Sequence, residues 1–152
     1  MGIVSKYRNL TAEQIDYLNG SGVSRLATAD ADGVPHVVPV CHIATADAVY
    51  VTNGPTRKGR IAKRGRNVLE NPRAALVVDH YDEDWTAIGY VLVQGSAELL
   101  EEGEEHDKGV RLLKQRYYQM REWPVEAWGL IALRVQRVIT YGGTTGATPG
   151  DT

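Results

Sequence analysis

The sequence predicts a mainly β (α+β) fold, an antiparallel β-barrel of about six strands with about three helices packed outside it. Short segments rich in Val, Ile and Ala are separated by turn sequences such as Asp30-Ala31-Asp32-Gly33, which join neighbouring strands as hairpins. Helical segments do not alternate regularly with the strands, so a doubly wound parallel sheet is disfavoured. Closure into a barrel removes the exposed strand edges that an open antiparallel sheet would leave.

The predicted strands share β-branched residues and flanking turn residues, and they cover Val23–Ala29, Pro35–Ile43, Ala48–Asn53, Arg73–His80, Gly89–Leu99 and Trp128–Tyr141. Pro35 and Pro39 place the second strand at a sheet edge or a bulge, because proline cannot donate a ladder hydrogen bond. The fourth strand contains five consecutive apolar residues and is predicted to be buried on both faces.

Three helices are predicted from capping and periodicity. The capping box Thr11-Ala12-Glu13-Gln14 opens the first, which ends near Gly20. A second is expected over Gly59–Glu70, although Gly65 weakens that prediction. The third is expected over Glu104–Arg121, with apolar side chains spaced at three and four residues on one side.

Length and composition indicate one soluble domain over residues 1–142 and a flexible tail over 143–152. The single cysteine, Cys41, excludes an intrachain disulfide, which fits a reducing compartment. The amino terminus lacks a signal sequence, and no segment reaches the length of a membrane span. A cytoplasmic protein without membrane contact is therefore expected.

The most informative segment is basic. The chain has a net charge of −2, yet Arg57–Arg73 contains seven Lys or Arg residues and one acid. Thr56, Arg57 and Lys58 lie between a predicted strand end and a predicted helix start, where backbone amides and cations together favour an anion. A solvated loop followed by a basic helix face is the alternative interpretation.

Four motifs in order resemble the pyridoxamine 5′-phosphate oxidase superfamily. They are the hairpin from Ala27 through Pro35-His36-Val37-Val38-Pro39-Val40, the strand end Tyr50-Val51-Thr52-Asn53, the triplet Thr56-Arg57-Lys58, and Asn71-Pro72-Arg73 before the next strand. The resemblance implies a split β-barrel of the FMN-binding type. A narrower similarity, over Leu76–Trp85 and at Asn67, is to a subgroup of reductases that use the deazaflavin coenzyme F420.

The resemblance also implies a site. Thr56, Arg57 and Lys58 would hold the cofactor phosphate, Thr52 and Asn53 would add hydrogen bonds, and the second strand would line the ring through His36, Val37, Val38, Pro39 and Val40. Trp85 and Tyr90 are expected on the substrate side. The implied protein is a homodimer with F420, or alternatively FMN, at the subunit interface, which transfers a hydride to or from a small organic substrate.

Two departures argue against true pyridoxamine phosphate oxidase activity. Tyr90 stands where those oxidases have a glutamine, and the Trp- and Arg-rich segment that completes their site is not recognisable after Trp128. No residue stands out as a general acid or base, which fits an enzyme whose cofactor carries the reactive chemistry.

Three other functions are conceivable for this sequence: a cofactor carrier, a metal site and a nucleic-acid-binding protein. A non-catalytic FMN, F420 or haem carrier on the same fold is the main alternative, with His36, His42 or His80 as the haem candidates. A structural metal is disfavoured, because His36 and His42 would lie roughly 20 Å apart on one strand. Nucleic-acid binding through Arg57–Arg73 is disfavoured by the acidic net charge.

Overall fold

The fold was analysed in a computed structural model that describes residues 6–142. Within that range one antiparallel sheet contains seven strands in the order β2-β1-β5-β6-β7-β4-β3. The strands are β1 Ser24–Ala29, β2 Pro35–Val40, β3 His42–Ala44, β4 Ala48–Thr52, β5 Arg73–His80, β6 Gly89–Leu100 and β7 Leu130–Gly142. The predicted split-barrel architecture is confirmed. The tail predicted over 143–152 lies outside the described residues.

The sheet closes through a single residue. β2 and β3 are the two outermost strands, yet Cys41 alone connects them. Since consecutive Cα atoms are about 3.8 Å apart, the two edges of the sheet meet at this point. The prediction of one continuous strand over Pro35–Ile43 was therefore wrong, and the break at Cys41 adds the seventh strand. The predicted edge position of β2 is confirmed.

The core lies inside the curled sheet. Alternate residues of β1, β5 and β6 face it, and Leu26, Leu76 and Val93 are at most 1% exposed. A bulge between Gln94 and Gly95 shifts the pairing of β6 with β7. A side chain at Gly95 would overlap the Arg134 carbonyl oxygen, so only glycine allows the bulged strand to approach its neighbour this closely.

Three α-helices pack outside: α1 Ala12–Asn19, α2 Lys63–Glu70 and α3 Glu104–Arg116. The capping box predicted for α1 is present, with the Thr11 hydroxyl accepting from the Gln14 amide. No helix in the described part of the chain is long and apolar enough to span a membrane.

Two predicted helix boundaries were wrong. α2 begins four residues after the predicted start at Gly59, because Gly59 belongs to a tight turn. α3 ends at Arg116 rather than Arg121, and a 3₁₀ helix over Tyr118–Glu122 follows. The backbone of Tyr117 is extended, and its hydroxyl accepts from the His42 amide and donates to the Gly22 carbonyl. These long-range hydrogen bonds redirect the chain at the end of α3.

A charged cluster joins α3 to the barrel. Arg134 on β7 donates to both carboxylate oxygens of Glu105 on α3 and to Glu98 on β6. The Tyr50 hydroxyl donates to the same Glu105 carboxylate at 2.7 Å. These hydrogen bonds, with that from Arg134 the largest contribution, lower the pKa of Glu105 to about 2.

Stability should therefore fall in acid through Glu105. Because its pKa is lowered by folding, the stabilisation is present above its ordinary value of 4.5 and is lost as the pH falls toward 2. The loss should be about 1 kcal/mol, since the partly exposed cluster is screened by water. Urea unfolding at a series of pH values should show a shallower acid dependence for Glu105→Gln than for the wild type. Glu102→Gln, at an exposed position on the preceding turn, should keep the wild-type slope, and equal slopes for all three proteins would contradict the assignment.

Candidate functional site

A basic cleft lies where β4 ends and α2 begins. It has a volume of about 430 Å³ and is formed by residues 53–66. Its described lining includes six cationic side chains and no carboxylate, the cations being Arg57, Lys58, Arg60, Lys63, Arg64 and Arg66. None of the ion pairs found within residues 6–142 involves these six side chains. The cleft therefore concentrates uncompensated positive charge in a protein of slightly negative net charge.

The first wall of the cleft is a small hairpin. Arg57 and Arg60 exchange backbone hydrogen bonds, each 2.9 Å long, around a two-residue turn. Lys58 and Gly59 in that turn have φ angles of 52° and 73°, the pattern of a type I′ turn. Among the described residues, Lys58 is the single non-glycine residue with positive φ, a conformation that costs free energy. The turn also places two arginines opposite each other, which is unfavourable unless an anion lies between them.

The second wall is the start of α2. Ala62 at the N-cap provides no capping side chain, and the first turn contains no acid, so the amide groups of that turn have no side-chain acceptor. Cationic side chains at Lys63, Arg64 and Arg66 oppose the helix dipole rather than complement it. A bound anion would satisfy both the amides and the cations.

Arg64 connects α2 to the chain segment that follows β4. Its Nε donates to the Thr52 carbonyl at 3.2 Å, and its guanidinium lies against Gly54, where a Cβ would be 2.8 Å from Nη2. Burial lowers the pKa of Arg64, and this half-buried charge has no carboxylate partner within the described chain. An anionic ligand in the cleft would provide the negative charge that this guanidinium lacks.

Asn53 forms the floor of the cleft. It is 1% exposed, and its Oδ1 has no hydrogen-bond partner in the described structure. A buried acceptor without a donor is costly, and this oxygen lies against α2, since a Cβ at Gly65 would be 2.3 Å from it. Asn67 is also fully buried and donates to the Thr28 hydroxyl at 3.0 Å, which fixes α2 to β1.

Gly65 allows α2 to approach Asn53. A methyl group at this position would overlap the Asn53 side-chain amide, which is buried and cannot move aside freely. Gly65→Ala should therefore destabilise the protein by about 1–3 kcal/mol and weaken ligand binding in the cleft.

Thermal unfolding and a binding titration check the Gly65 prediction. Gly22→Ala is the matched control, because a Cβ at Gly22 meets no atom within 4 Å. Equal melting temperatures for the two variants would show that the close approach of α2 to Asn53 is not needed.

The predicted ring-lining residues lie on both faces of β2. His36, Val38 and Val40 are on the barrel side, where Val40 is 7% exposed, and Val37 and Pro39 are on the outer side. Only part of this set can therefore line one ring through side chains. Among the described strands β2 pairs with β1 alone, so the backbone groups of its other edge form no ladder with any of them.

The basic cleft and β2 are brought together at Cys41, which connects β2 to β3. His42 pairs with Val51, which places the end of β4 beside that junction. Burial raises the pKa of the Cys41 thiol, while the nearby charges of Arg116 and Arg64 partly offset this effect. A ligand with its anionic end in the cleft can therefore extend along β2 from Val40 toward His36.

The outer face of the sheet contains an apolar row of side chains between polar ones. The strand register aligns Pro39, Val77, Leu92 and Ile139 across four of the five strands β2, β1, β5, β6 and β7, with Arg25 between them on β1. Val77, Leu92 and Ile139 are only partly buried. The prediction that β5 is buried on both faces was therefore wrong for the single chain, because no element between residues 6 and 142 covers its outer face.

Tyr90 lies at one end of this outer face, and Trp85 lies in the connection between β5 and β6. Tyr90 stacks on Tyr141, with ring centroids 5.6 Å apart and planes inclined by 13°. Trp85 begins a 3₁₀ helix capped by Asp84 and is 74% exposed. A role for Trp85 as a core aromatic is thereby excluded. Neither side chain lines the basic cleft of the same chain.

The histidines do not form a common site. His42 is fully buried, with its Nε2 hydrogen-bonded to the Leu18 carbonyl, and burial lowers its pKa. His36 is half-buried with an unpartnered Nδ1, and His80 is exposed. Within residues 6–142, no three His, Cys, Asp or Glu side chains are grouped so as to hold a metal ion.

Sequence reasoning placed Arg57, Lys58 and Arg60 in the anion-binding segment but did not place Lys63, Arg64 and Arg66 in the same cleft. The sequence feature that could have identified these three cations as part of the site is the basic start of α2, which has no capping side chain. It was obscured because the helix was predicted to begin at Gly59, which placed these cations on a solvated helix face.

Comparison with known proteins identifies related sequences. The profile of the pyridoxamine 5′-phosphate oxidase family matches residues 10–140. A curated relative from Streptomyces rimosus, a 5a,11a-dehydrotetracycline/5a,11a-dehydrooxytetracycline reductase, is 35% identical over 94 residues. That alignment covers 61% of this chain and 66% of the relative.

Solved structures share the fold. A haem-binding protein from Mycobacterium smegmatis superimposes with a TM-score of 0.70 at 24% identity, over 89% of this chain and 54% of the other. A FAD-binding protein from Mesorhizobium loti superimposes with a TM-score of 0.64 at 24% identity, over 88% of this chain and 95% of the other. The split-barrel fold is thus shared by proteins that bind different cofactors.

Proposed function

Because this chain belongs to the pyridoxamine 5′-phosphate oxidase family, we propose that it is an oxidoreductase that binds a flavin-type cofactor through the basic cleft. The observation that carries the proposal is the set of six cations around the end of β4 that belong to no ion pair of residues 6–142, with no carboxylate among the described lining residues. The reductase function of the Streptomyces rimosus relative supports the same reaction class.

The residues present fit the phosphate end of such a cofactor. Arg57 can hold a phosphate through two parallel hydrogen bonds, Lys58 adds a point charge, and Thr56 adds a hydroxyl. Asn53 lines the same cleft and would add a hydrogen bond to the ligand chain. Thr52 contributes indirectly, because its carbonyl accepts from Arg64 and so fixes the loop.

F420 is the proposed cofactor and FMN the alternative. The preference for the deazaflavin rests on the similarity of Leu76–Trp85 to reductases of that subgroup. When bound, either cofactor would supply hydride chemistry. This chain would bind and orient the cofactor along the free edge of β2 and exclude water from its ring.

A second copy of this chain is the proposed partner. The apolar row on the outer face of the sheet has no covering layer among the described residues, and Val37 beside it is 66% exposed. A partner packed on Val77, Leu92 and Ile139 would cover it. Tyr90 and Trp85 of one protomer would then contribute to the substrate side of the site at the interface.

Turnover tests the proposed reaction. The cofactor-loaded protein should be reduced anaerobically and mixed with small oxidised acceptors, including a polycyclic enone of the dehydrotetracycline type, while the cofactor absorbance is followed. Reoxidation that is faster than that of free reduced cofactor is the expected result.

A carrier function is the alternative, favoured by the haem-binding structural neighbour. Reduced cofactor that remains bound and passes no hydride to any acceptor would support the carrier and contradict the enzyme. A haem carrier would use His36 or His80, since His42 is buried and its Nε2 is engaged with Leu18.

A further inference from the structure

A cavity of about 650 Å³ opens on the outer face of the sheet, beside the apolar row. Its floor is formed by Ala27 and Ala29 of β1 and Ala75 of β5, which alternate with the buried residues of those strands. The next row of the same face carries the larger side chains of Val77 and Leu92. The floor is therefore lower than the apolar row, and its methyl groups form a flat base on which a planar ring system can pack.

One side of this cavity, its polar wall, consists of Gln94 and Ser96 of β6 and Gln136 of β7. Gln136 is positioned by the bulge between Gln94 and Gly95, which leaves it as an extra residue of β7 without a partner on β6. Bulges reorient side chains in this way and are common next to functional sites. The irregularity of the sheet therefore adds a polar side chain to the cavity that a regular ladder would not provide there.

The charge around this cavity is positive. Arg73 and Lys6 are among its lining residues, and its described lining contains no carboxylate. Within residues 6–142, the side chains of Arg73 and of the polar wall take part in no ion pair and no hydrogen bond. Their donor groups are therefore available to one ligand, and a carboxylate would accept charge-assisted hydrogen bonds from them.

The cavity adjoins the strand along which the proposed cofactor would lie. Val37 of β2 pairs with Ala27 and is 66% exposed at the border of the floor. Neighbouring strands are about 4.8 Å apart, so a ligand on the floor would lie next to β2, whose outer edge forms no ladder with any described strand. A second copy packed on Val77 and Leu92 would place the cavity at the subunit interface, where ligand sites are frequent.

We propose that this cavity binds the substrate of the proposed oxidoreductase, and that the substrate is a planar organic anion such as an aromatic carboxylate. The inference rests on the proposed function and deepens it, because it gives the substrate a position and a chemical class. The alanine floor would pack against the ring system, Arg73 would pair with the anionic group, and the polar wall would donate to its remaining oxygen atoms. Trp85 and Tyr90 of the same chain do not line the cavity, so they would reach it only from the second copy.

Two matched probes test the chemical class of the ligand. In isothermal titration of the full chain, 2-naphthoate should bind at least about tenfold more tightly than the neutral 2-naphthamide, because its carboxylate adds a charge-assisted interaction with Arg73. Arg73→Gln should remove this preference, whereas Lys108→Gln, which removes an exposed cation of α3, should keep it. Equal affinities of the two probes for the wild type, or no binding of either, would overturn the proposal.

A substitution on the floor tests the position of the ligand. Ala75→Leu should fill part of the cavity and weaken the binding of 2-naphthoate by at least about tenfold. Ala12→Leu, at an exposed position of α1, adds the same side chain elsewhere and should leave the affinity unchanged. Thermal unfolding checks that both variants are folded. Wild-type affinity in a folded Ala75→Leu protein would show that the probe binds elsewhere and would overturn the proposal.

The absorption spectrum of a bound cofactor tests the substrate role. 2-Naphthoate should shift the bands of the protein loaded with F420 or FMN, because an anion next to the ring changes its electrostatic surroundings, and Ala75→Leu should lose the shift. Binding of the probe without a shift would contradict a substrate position. If 2-naphthoate binds as expected but neither cofactor does, the proposed function is wrong and the anion site stands. If a cofactor binds but 2-naphthoate does not, the anion site is wrong and the proposed function stands.

Discussion

Replacement of both Arg57 and Lys58 by alanine should reduce cofactor affinity by at least about a hundredfold, because each lost charge-assisted hydrogen bond costs about 1.5–3 kcal/mol. Both side chains are exposed and belong to no ion pair of the described chain. The variant should therefore keep its fold. Isothermal titration with cofactor measures the loss, and circular dichroism checks the structure.

The matched control is a double alanine replacement at Lys108 and Arg111, two exposed cations on α3 outside the cleft. It changes net charge equally and should leave affinity unchanged. Lys58→Gly on its own separates the charge from the turn conformation. It removes the Lys58 charge but makes the positive φ of the turn more favourable, so any loss of affinity in this variant comes from the charge. Unaltered affinity in the Arg57/Lys58 variant would contradict the phosphate assignment.

Leu92→Glu should convert the proposed dimer into a monomer and abolish cofactor binding with it. Leu92 lies in the middle of the apolar outer face, between Val77 and Ile139. A carboxylate there would be buried without a partner at the interface, which costs several kcal/mol. In the single chain the same side chain is only partly buried, so the monomer should remain folded. Sedimentation velocity measures the change in mass.

Tyr118→Glu provides the comparison for this experiment. Tyr118 is 75% exposed and lies in the 3₁₀ helix after α3, away from the outer sheet face. This variant should sediment as the wild type does. A monomeric wild type, or a Leu92→Glu protein that still dimerises and binds cofactor, would contradict the proposed interface.

The sequence allowed most of the sheet to be predicted, because hairpin turns and β-branched runs are local signals. Pro35 and Pro39 correctly predicted that β2 lies at a sheet edge. The break at Cys41 had no such signal, since the residues on both sides continue the same apolar pattern. The break arises from closure of the barrel, which is a property of the whole sheet.

The site was predicted in part for a similar reason. Arg57 and Lys58 were assigned from the motif order, and the structure places both on the cleft wall. Arg64 joined the site through a contact with the Thr52 carbonyl, twelve residues away in sequence. Helix propensity alone made Gly65 an argument against α2. Its close contact with Asn53 could not be predicted, because that contact depends on tertiary packing.

The most direct test of the central claim is an absorption titration of the wild-type protein with F420 and, separately, with FMN. If the basic cleft holds the phosphate of a flavin-type cofactor, the bands of at least one of them should shift and saturate at one cofactor per chain. The same titration of the Arg57/Lys58 double alanine variant should show no saturable shift. Spectra of both cofactors that stay unchanged with the wild type would contradict the account.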